Sequence, residues 1–231
     1  MLTGIIGAMA VETDAIKALV DNPTVEKVGN IEFVRGRLCG QEVVIAQCGI
    51  GKVFAAICAE AMILKYAPDR MINTGVAGTL SDKVGLLDIA VSSSVVEHDM
   101  DTSPLGDPVG LISGINVVNI PASKALASEI CSAAERLGKR YAVGVIASGD
   151  QFIADKEKKE YIRDTFSAIA CEMEGAAIGH VCYVNGVDFA VIRCISDNAD
   201  DTAGEMDYPT LCQKAAEQSQ ALLTELLGNG I

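Results

Sequence analysis

Val191-Ile-Arg-Cys-Ile-Ser-Asp-Asn198 is the segment from which the fold of this chain is best inferred. It is an apolar run with the length of a buried strand, and Arg193 lies inside it, where a charge is costly without a partner. A second apolar run, Ala168–Cys171, leads into Glu172-Met173-Glu174. Because ligands in open α/β sheets bind beyond the carboxyl ends of strands, the two runs are predicted to bring carboxylates to one site. Alternatively, these acids cap helices or face solvent.

The rest of the chain predicts an α/β fold with a mixed, mostly parallel sheet. After residue 43, strand-length apolar runs alternate with helical periodicity, as in parallel sheets. Residues 24–48 are rich in strand formers punctuated by glycines, so we expect an antiparallel meander there. Residues 99–120 lack a period and are predicted to form a loop whose apolar side chains contact a second subunit. No repeat or linker interrupts the chain, so we predict one domain over residues 1–231.

Composition and net charge limit the classes of partner that the chain is expected to bind and the compartment in which it is expected to lie. A formal net charge of −13 argues against nucleic acid or an anionic membrane surface as a partner. The eight cysteines include no C-x-x-C pair, and with two histidines they form no zinc-ligand pattern. We therefore expect a cytoplasmic protein that uses no metal or other cofactor. We also expect no signal peptide, since no basic region precedes the first apolar run, and no membrane span.

Glycines before a predicted helix raise the question of a phosphate site. Gly49 and Gly51 are spaced as in a dinucleotide-binding turn, but the large Phe54 stands at the third glycine position. Lys52 is followed by Val53 rather than by Ser or Thr, which excludes a P-loop. These glycines are otherwise predicted to form tight turns.

Six separated motifs are more specific together than any one of them alone. They are Gly4–Met9 with Glu12, Cys48–Lys52, Asn73–Gly78, Ser148–Ile153, Glu172–Glu174 and Arg193–Asp197. Together they resemble the nucleoside phosphorylase/nucleosidase superfamily, and within it most of all the bacterial 5′-methylthioadenosine/S-adenosylhomocysteine nucleosidases. The resemblance covers nearly the whole chain. It implies a sheet partly closed into a barrel and flanked by helices.

The resemblance also implies an activity. The family hydrolyses the N9–C1′ bond of 5′-thio-substituted adenosines, releasing adenine and 5-methylthioribose or S-ribosylhomocysteine, in methionine salvage. The implied partners are a nucleoside, water and a second copy of the chain.

Three carboxylates receive roles from the resemblance. Asp197 would protonate adenine N7, which a carboxyl can do near neutral pH when burial raises its pKa, and Ser196 would orient it. Glu12 would act as base toward the attacking water. Glu174 would accept a hydrogen bond from the ribose 2′-hydroxyl, and its charge would favour an oxocarbenium-like transition state. Glu12 could instead be an exposed acid at a helix start.

The remaining site residues are implied in the same way. Phe152 would stack on adenine, and Arg193 would face Glu174 or Glu12. Phe152 and Met173 could alternatively be plain core residues. The implied binding set is Met9, Ile50, Gly78, Phe152, Ile153, Met173, Glu174, Arg193, Ser196 and Tyr208, with Leu105 supplied by the partner subunit.

One departure from the family pattern bears on the reaction. Val76 stands where the family carries Ser, and in phosphorylase relatives that hydroxyl helps to bind phosphate, so its loss favours water as nucleophile. Purine nucleoside phosphorylase and futalosine-type nucleosidase stay open as alternatives on the same fold. A binding module without catalysis is opposed by the presence of Glu12 and Asp197. His98 is predicted to lie at the surface or an interface.

Overall fold

Ten strands and six α-helices make up the described part of the computed structural model, which covers residues 1–199 and 208–229. The strands are β1 (Leu2–Gly7), β2 (Asp21–Val28), β3 (Ile31–Leu38), β4 (Gln41–Gln47), β5 (Arg70–Thr79), β6 (Ile89–Glu97), β7 (Ile120–Pro121), β8 (Tyr141–Ser148), β9 (Ala168–Glu172) and β10 (Asp188–Asp197). The helices are α1 (Ala10–Lys17), α2 (Lys52–Tyr66), α3 (Lys124–Arg136), α4 (Lys156–Phe166), α5 (Gly175–Asn185) and α6 (Tyr208–Asn229).

Strand β5 closes part of the sheet into a barrel because it pairs with both β10 and β9. It runs parallel to β10 from Arg70 to Gly78 and pairs antiparallel with β9 at Gly78 and Thr79. The strands β6 and β8 complete the ring between β10 and β9. The predicted α/β fold with a partly closed sheet is confirmed.

The open part of the sheet extends from the start of β5. Here β1 lies between β5 and β4 in parallel register, and β2, β3 and β4 form the predicted antiparallel meander. Both faces are covered at the middle of the strand, so the four successive residues 43–46 of β4 are all buried. Val44 packs into the same apolar cluster as Met62 of α2, whereas Val43 joins Leu222 of α6 on the other face.

Most element boundaries fall close to those predicted, and the exceptions have local causes. The sequence predicts a helix from about Lys52 to Tyr66, and α2 covers these residues, starting after Gly51 at φ 98° and ending at the left-handed Ala67. The sequence also predicts a strand over residues 71–74, and β5 is longer because the glycines that follow pair with β10 in the ladder. Gly75, for example, stands opposite Arg193.

The segment over residues 99–120 differs from its prediction. It contains a short 3₁₀ helix (Ser103–Leu105) and an isolated bridge between Ile112 and Val117. Ile112 is buried in the main core, and Ile115 packs against it. Ile112 and Ile115 therefore belong to the core of their own subunit, and for these two the expected contact with a second subunit is wrong. Leu105 is 83% exposed and Pro108 is exposed as well.

No helix within residues 1–199 and 208–229 has the length and apolar character needed to cross a membrane.

Candidate active site

A cavity opens where β5, β9 and β10 end, and three other segments, at residues 8–12, at Ile50 and at residues 151–153, complete its wall. Its empty space is about 630 Å³, including the open space at its mouth. Among the predicted residues, those that line it are Met9, Glu12, Ile50, Gly78, Phe152, Ile153, Met173, Glu174, Ser196 and Asp197. The expectation that strand ends would bring carboxylates together thus holds in this geometry.

Glu12 lies in the first turn of α1 and points into the cavity. It is 4% exposed, so the reading as an exposed helix-start acid is wrong. One carboxylate oxygen accepts hydrogen bonds from the backbone N–H groups of Ala8 and Met9, at 2.8 and 2.9 Å, and the other accepts from Val76 at 3.0 Å. Burial raises the pKa of Glu12 above its ordinary value, although Arg193 and these hydrogen bonds oppose the shift.

Asp197, the last residue of β10, is also buried. Its Oδ2 accepts from the hydroxyl of Ser196 at 2.9 Å and its Oδ1 accepts from the backbone N–H of Ala199 at 2.8 Å. Ser196 Oγ lies 3.4 Å from the carbonyl oxygen of Ala77, a second acceptor. Since a hydroxyl can donate and accept, this pair can serve either protonation state of the carboxyl.

Glu174 stands just before α5 on the wall of the cavity. Its Oε1 accepts from the backbone N–H of Gly51 at 2.8 Å. Burial and the nearby charge of Glu172 raise the pKa of Glu174 to about 7, while Arg193 opposes this. Near neutral pH this carboxyl therefore changes between its charged and uncharged forms.

Arg193 does not make the contacts predicted for it. It is 1% exposed and does not line the cavity. Its Nη2 donates to Asn73 and to Glu172 instead of to Glu174 or Glu12. Glu172 also accepts from Ser148 Oγ and from the backbone N–H of Gly175, so both of its carboxylate oxygens are hydrogen-bonded. Arg193 is thus part of a buried ion pair behind the cavity and acts on Glu174 and Glu12 only through its charge.

Two motif glycines leave room for the carboxylates. A Cβ on Gly75 would lie 2.5 Å from Oε1 of Glu12, and one on Gly78 would lie 2.7 Å from Oδ1 of Asp197. Any side chain at either position would displace a site carboxylate. Gly78 is among the predicted site residues and Gly75 is not, although its place in the same motif, Asn73–Gly78, is a signal for it.

The remaining predicted residues differ in their exposure and in their distance from the cavity. Ile50 and Phe152 are each 55% exposed, so Phe152 is not a core residue, whereas Ile153 is buried. Leu105 does not line the cavity of its own chain. Tyr208 begins α6, but its side chain lies outside the described residues.

His98 contradicts its prediction as a surface or interface residue. It is 4% exposed, and its ring packs against Gly149, where a Cβ would overlap it. Burial lowers its pKa, so it is neutral at pH 7.

Comparison with known proteins agrees with this fold and cavity. The family model described as the phosphorylase superfamily matches residues 3–228. A 5′-methylthioadenosine/S-adenosylhomocysteine nucleosidase of Shewanella halifaxensis is 40% identical over 229 residues, which are 98% of this chain and 99% of the relative. The chain belongs to the phosphorylase superfamily and, within it, to the 5′-methylthioadenosine/S-adenosylhomocysteine nucleosidase family.

Solved structures show the same architecture. The nucleosidase of Neisseria meningitidis in complex with methylthio-immucillin-A has a TM-score of 0.94 at 30% identity, covering 98% of each chain. The futalosine hydrolase of Helicobacter pylori has a TM-score of 0.92 at 35% identity, covering 98% of this chain and 97% of that one. The family resemblance inferred from the six motifs is therefore confirmed.

Proposed function

We propose that this protein hydrolyses the N9–C1′ bond of 5′-methylthioadenosine and S-adenosylhomocysteine. The products are adenine and 5-methylthioribose or S-ribosylhomocysteine, which places the reaction in methionine salvage. The observation that carries the proposal is that three buried carboxylates, Glu12, Glu174 and Asp197, reach one nucleoside-sized cavity. The name and near-complete coverage of the Shewanella relative support it.

Asp197 is the proton donor to adenine N7 in this mechanism. Protonation makes the base a better leaving group, since the electrons of the broken bond flow into it. The hydroxyl of Ser196 donates to Oδ2 of Asp197 at 2.9 Å, which orients the carboxyl so that its proton can be given to adenine N7. The N–H of Ala199 fixes the other oxygen, so the carboxyl keeps one orientation before the substrate binds.

Glu12 accepts a proton from the attacking water. Three backbone N–H groups hold its carboxylate in place, and its remaining lone pairs can accept a hydrogen bond from water. Because burial raises its pKa, Glu12 is a stronger base than an exposed glutamate.

Glu174 binds the ribose and stabilises its developing positive charge. In its ionised form it accepts from the 2′-hydroxyl while the Gly51 N–H occupies Oε1. A negative charge next to an oxocarbenium-like sugar lowers the transition-state energy more than that of the ground state.

The lining of the cavity favours water over phosphate as the nucleophile. Among the described residues that line it, three are glutamates, one is an aspartate and none is a lysine or arginine. Arg193, the nearest buried cation, is held by Glu172 and Asn73. A phosphate dianion would therefore meet only like charge, which opposes the phosphorylase alternative.

A second candidate substrate is futalosine, because the Helicobacter pylori futalosine hydrolase is as similar in structure as the nucleosidases. Val76 and Tyr208 are the two residues that would change which 5′ groups this chain accepts. The same carboxylates would cleave the same bond, with a different group at the 5′ position.

A nucleoside panel tests the proposed function. Purified protein is incubated with 5′-methylthioadenosine, S-adenosylhomocysteine, adenosine, inosine and futalosine, each with and without phosphate, and released base is measured by chromatography. We expect adenine from the two thio-nucleosides at a rate independent of phosphate. Release that requires phosphate would identify a phosphorylase, and preferential cleavage of futalosine would establish the second candidate.

The proposed assembly is a homodimer in the cytoplasm. Support for the dimer comes from one exposed apolar stripe on α2, formed by Val53, Ile57 and Leu64 at helical spacing, with Val184 of α5 nearby. Leu105, which is 83% exposed, would reach the partner's cavity. Support for the compartment is that no disulfide joins the cysteines in the described part of the chain.

A further inference from the structure

Two segments that line the cavity are joined by a ring of hydrogen bonds behind it. The first segment is the turn at Ile50 and Gly51 before α2, and the second is the segment from Asp150 to Ile153. The backbone N–H of Lys52 donates to Asp150 Oδ1 at 2.8 Å, and the backbone N–H of Asp150 donates to Asp99 Oδ2 at 2.9 Å. Lys52 Nζ closes the ring on Asp99 Oδ1 at 2.6 Å.

The ring leads directly to a site carboxylate. Gly51 precedes Lys52, and its N–H is the group that donates to Glu174 Oε1. Gly51 has a φ of 98°, and a Cβ there would lie 3.0 Å from Asp150 Oδ1, so the turn is packed closely against the aspartate. A shift of the turn relative to Asp150 would therefore move the Gly51 N–H away from Glu174.

The ring is too enclosed to be an ordinary surface ion pair. The side chains of Lys52 and Asp99 are each 18% exposed, and Glu97, at 13%, gives Lys52 a second acceptor at 3.0 Å. Burial alone would disfavour these charges, yet the hydrogen bonds to Asp99 and Glu97 raise the pKa of Lys52, and the bond from Lys52 lowers that of Asp99. Both groups are charged across the neutral range.

We propose that Lys52, Asp99 and Asp150 are positioning residues for the hydrolysis. They fix the turn at Gly51 against the segment that carries Phe152 and Ile153, so that the ribose-binding carboxylate and the base-binding segment keep one relative position. The inference rests on the proposed function, because it assigns no new reaction. Lys52 and Asp99 thus contribute to the activity although neither needs to touch the substrate.

Asp99→Asn tests the ring by removing one acceptor. The ring uses both oxygens of Asp99, and an amide supplies only one, so either the Lys52 or the Asp150 contact is lost. We expect kcat to fall about tenfold or more while KM changes less, since small misplacements of catalytic groups act on the chemical step. Lys52→Met should behave alike, and Lys52→Arg, which keeps the charge, should recover part of the loss.

The pH profile distinguishes positioning from a general loss of stability. Glu174 is faced by Glu172 of β9, Arg193 of β10, Glu12 of α1 and the Gly51 N–H. The Gly51 N–H favours the ionised form of Glu174, so weakening it should shift the acid limb of kcat/KM to higher pH in Asp99→Asn. Loss of stability alone would lower kcat/KM at every pH and leave the position of the acid limb unchanged.

Asp101→Asn is the matched control, because it makes the same change two residues away. Asp101 accepts from the backbone N–H and the hydroxyl of the neighbouring Ser103 on the exposed segment. The Asp101→Asn protein should therefore keep the wild-type kcat and the wild-type acid limb. An Asp99→Asn protein that is folded by circular dichroism, with wild-type kcat and an unshifted limb, would overturn the inference. A wild-type protein that cleaves no nucleoside would overturn the proposed function and this inference with it.

Discussion

At the scale of single residues, the site is a group of acids held where water is scarce. Glu12 and Glu174 are both buried, both have a raised pKa, and they share the positive charge of Arg193 with Glu172. Such an arrangement costs stability, because each carboxyl would ionise more readily in the unfolded chain. The cost is retained where reactivity requires it.

Asp197→Asn should remove the proton donor while preserving the shape of the site. We expect kcat on 5′-methylthioadenosine to fall about a hundredfold or more, the usual size of a general-acid contribution. Single-turnover adenine release measures this directly. Wild-type turnover in this variant would assign the acid to another group.

Glu174→Gln should gain stability and lose activity. The folded-state pKa of Glu174 is about 7, above the ordinary value of 4.5 for a glutamate. Between pH 4.5 and pH 7, Glu174 is protonated in the folded chain but ionised in the unfolded chain. Its contribution to the free energy of unfolding is therefore fully present below pH 4.5 and is lost as the pH rises through 7. The glutamine variant lacks that loss, and its melting temperature should exceed the wild type's by more at pH 8 than at pH 5. An equal difference at both pH values would contradict the assignment.

At the scale of elements, β5 brings the site together. It pairs with β1, β9 and β10, and its glycines face the carboxylates of α1 and β10. A strand that approaches other groups so closely cannot carry side chains there, which explains glycines in the interior of a buried strand.

Gly75→Ala tests this close approach. The added methyl would lie 2.5 Å from Glu12 Oε1, so we expect Glu12 to move and kcat to fall about tenfold or more. Gly114→Ala is the control, because nothing lies within 4 Å of a Cβ at that position. Steady-state kinetics and thermal melting of both variants measure the effect, and equal kinetics in the two would show that Gly75 is dispensable.

At the scale of the whole molecule, the exposed apolar stripe on α2 predicts self-association. Ile57→Asp should convert the proposed dimer to monomer and weaken substrate affinity, because a buried unpaired charge is costly at an interface. Val25→Asp is the matched control, since Val25 is 56% exposed, close to the 54% of Ile57, but lies on β2. Sedimentation velocity at micromolar concentration reports the state, and a wild-type monomer with full activity would exclude the dimer.

Much of this architecture could be predicted from local patterns. The apolar runs at 168–171 and 191–195, the helix at 52–66 and the meander reflect short-range periodicity and turn residues, which act within a few residues of chain. The carboxylates at the ends of β9 and β10 followed from the same patterns, because strand ends in such sheets face ligands. The sequence order of the motifs added the family and the reaction.

The partner of Arg193 could not be predicted in this way. Glu172 and Glu174 are two residues apart in sequence, yet the first ends β9 and binds Arg193, whereas the second precedes α5 and lines the cavity. Which of them meets the arginine depends on the register of β10 against β5, where a shift of one residue would turn Arg193 to the other face. The ring around Asp99 and the burial of His98 arise likewise from contacts between segments far apart in the chain, and such contacts exist only once the barrel has closed.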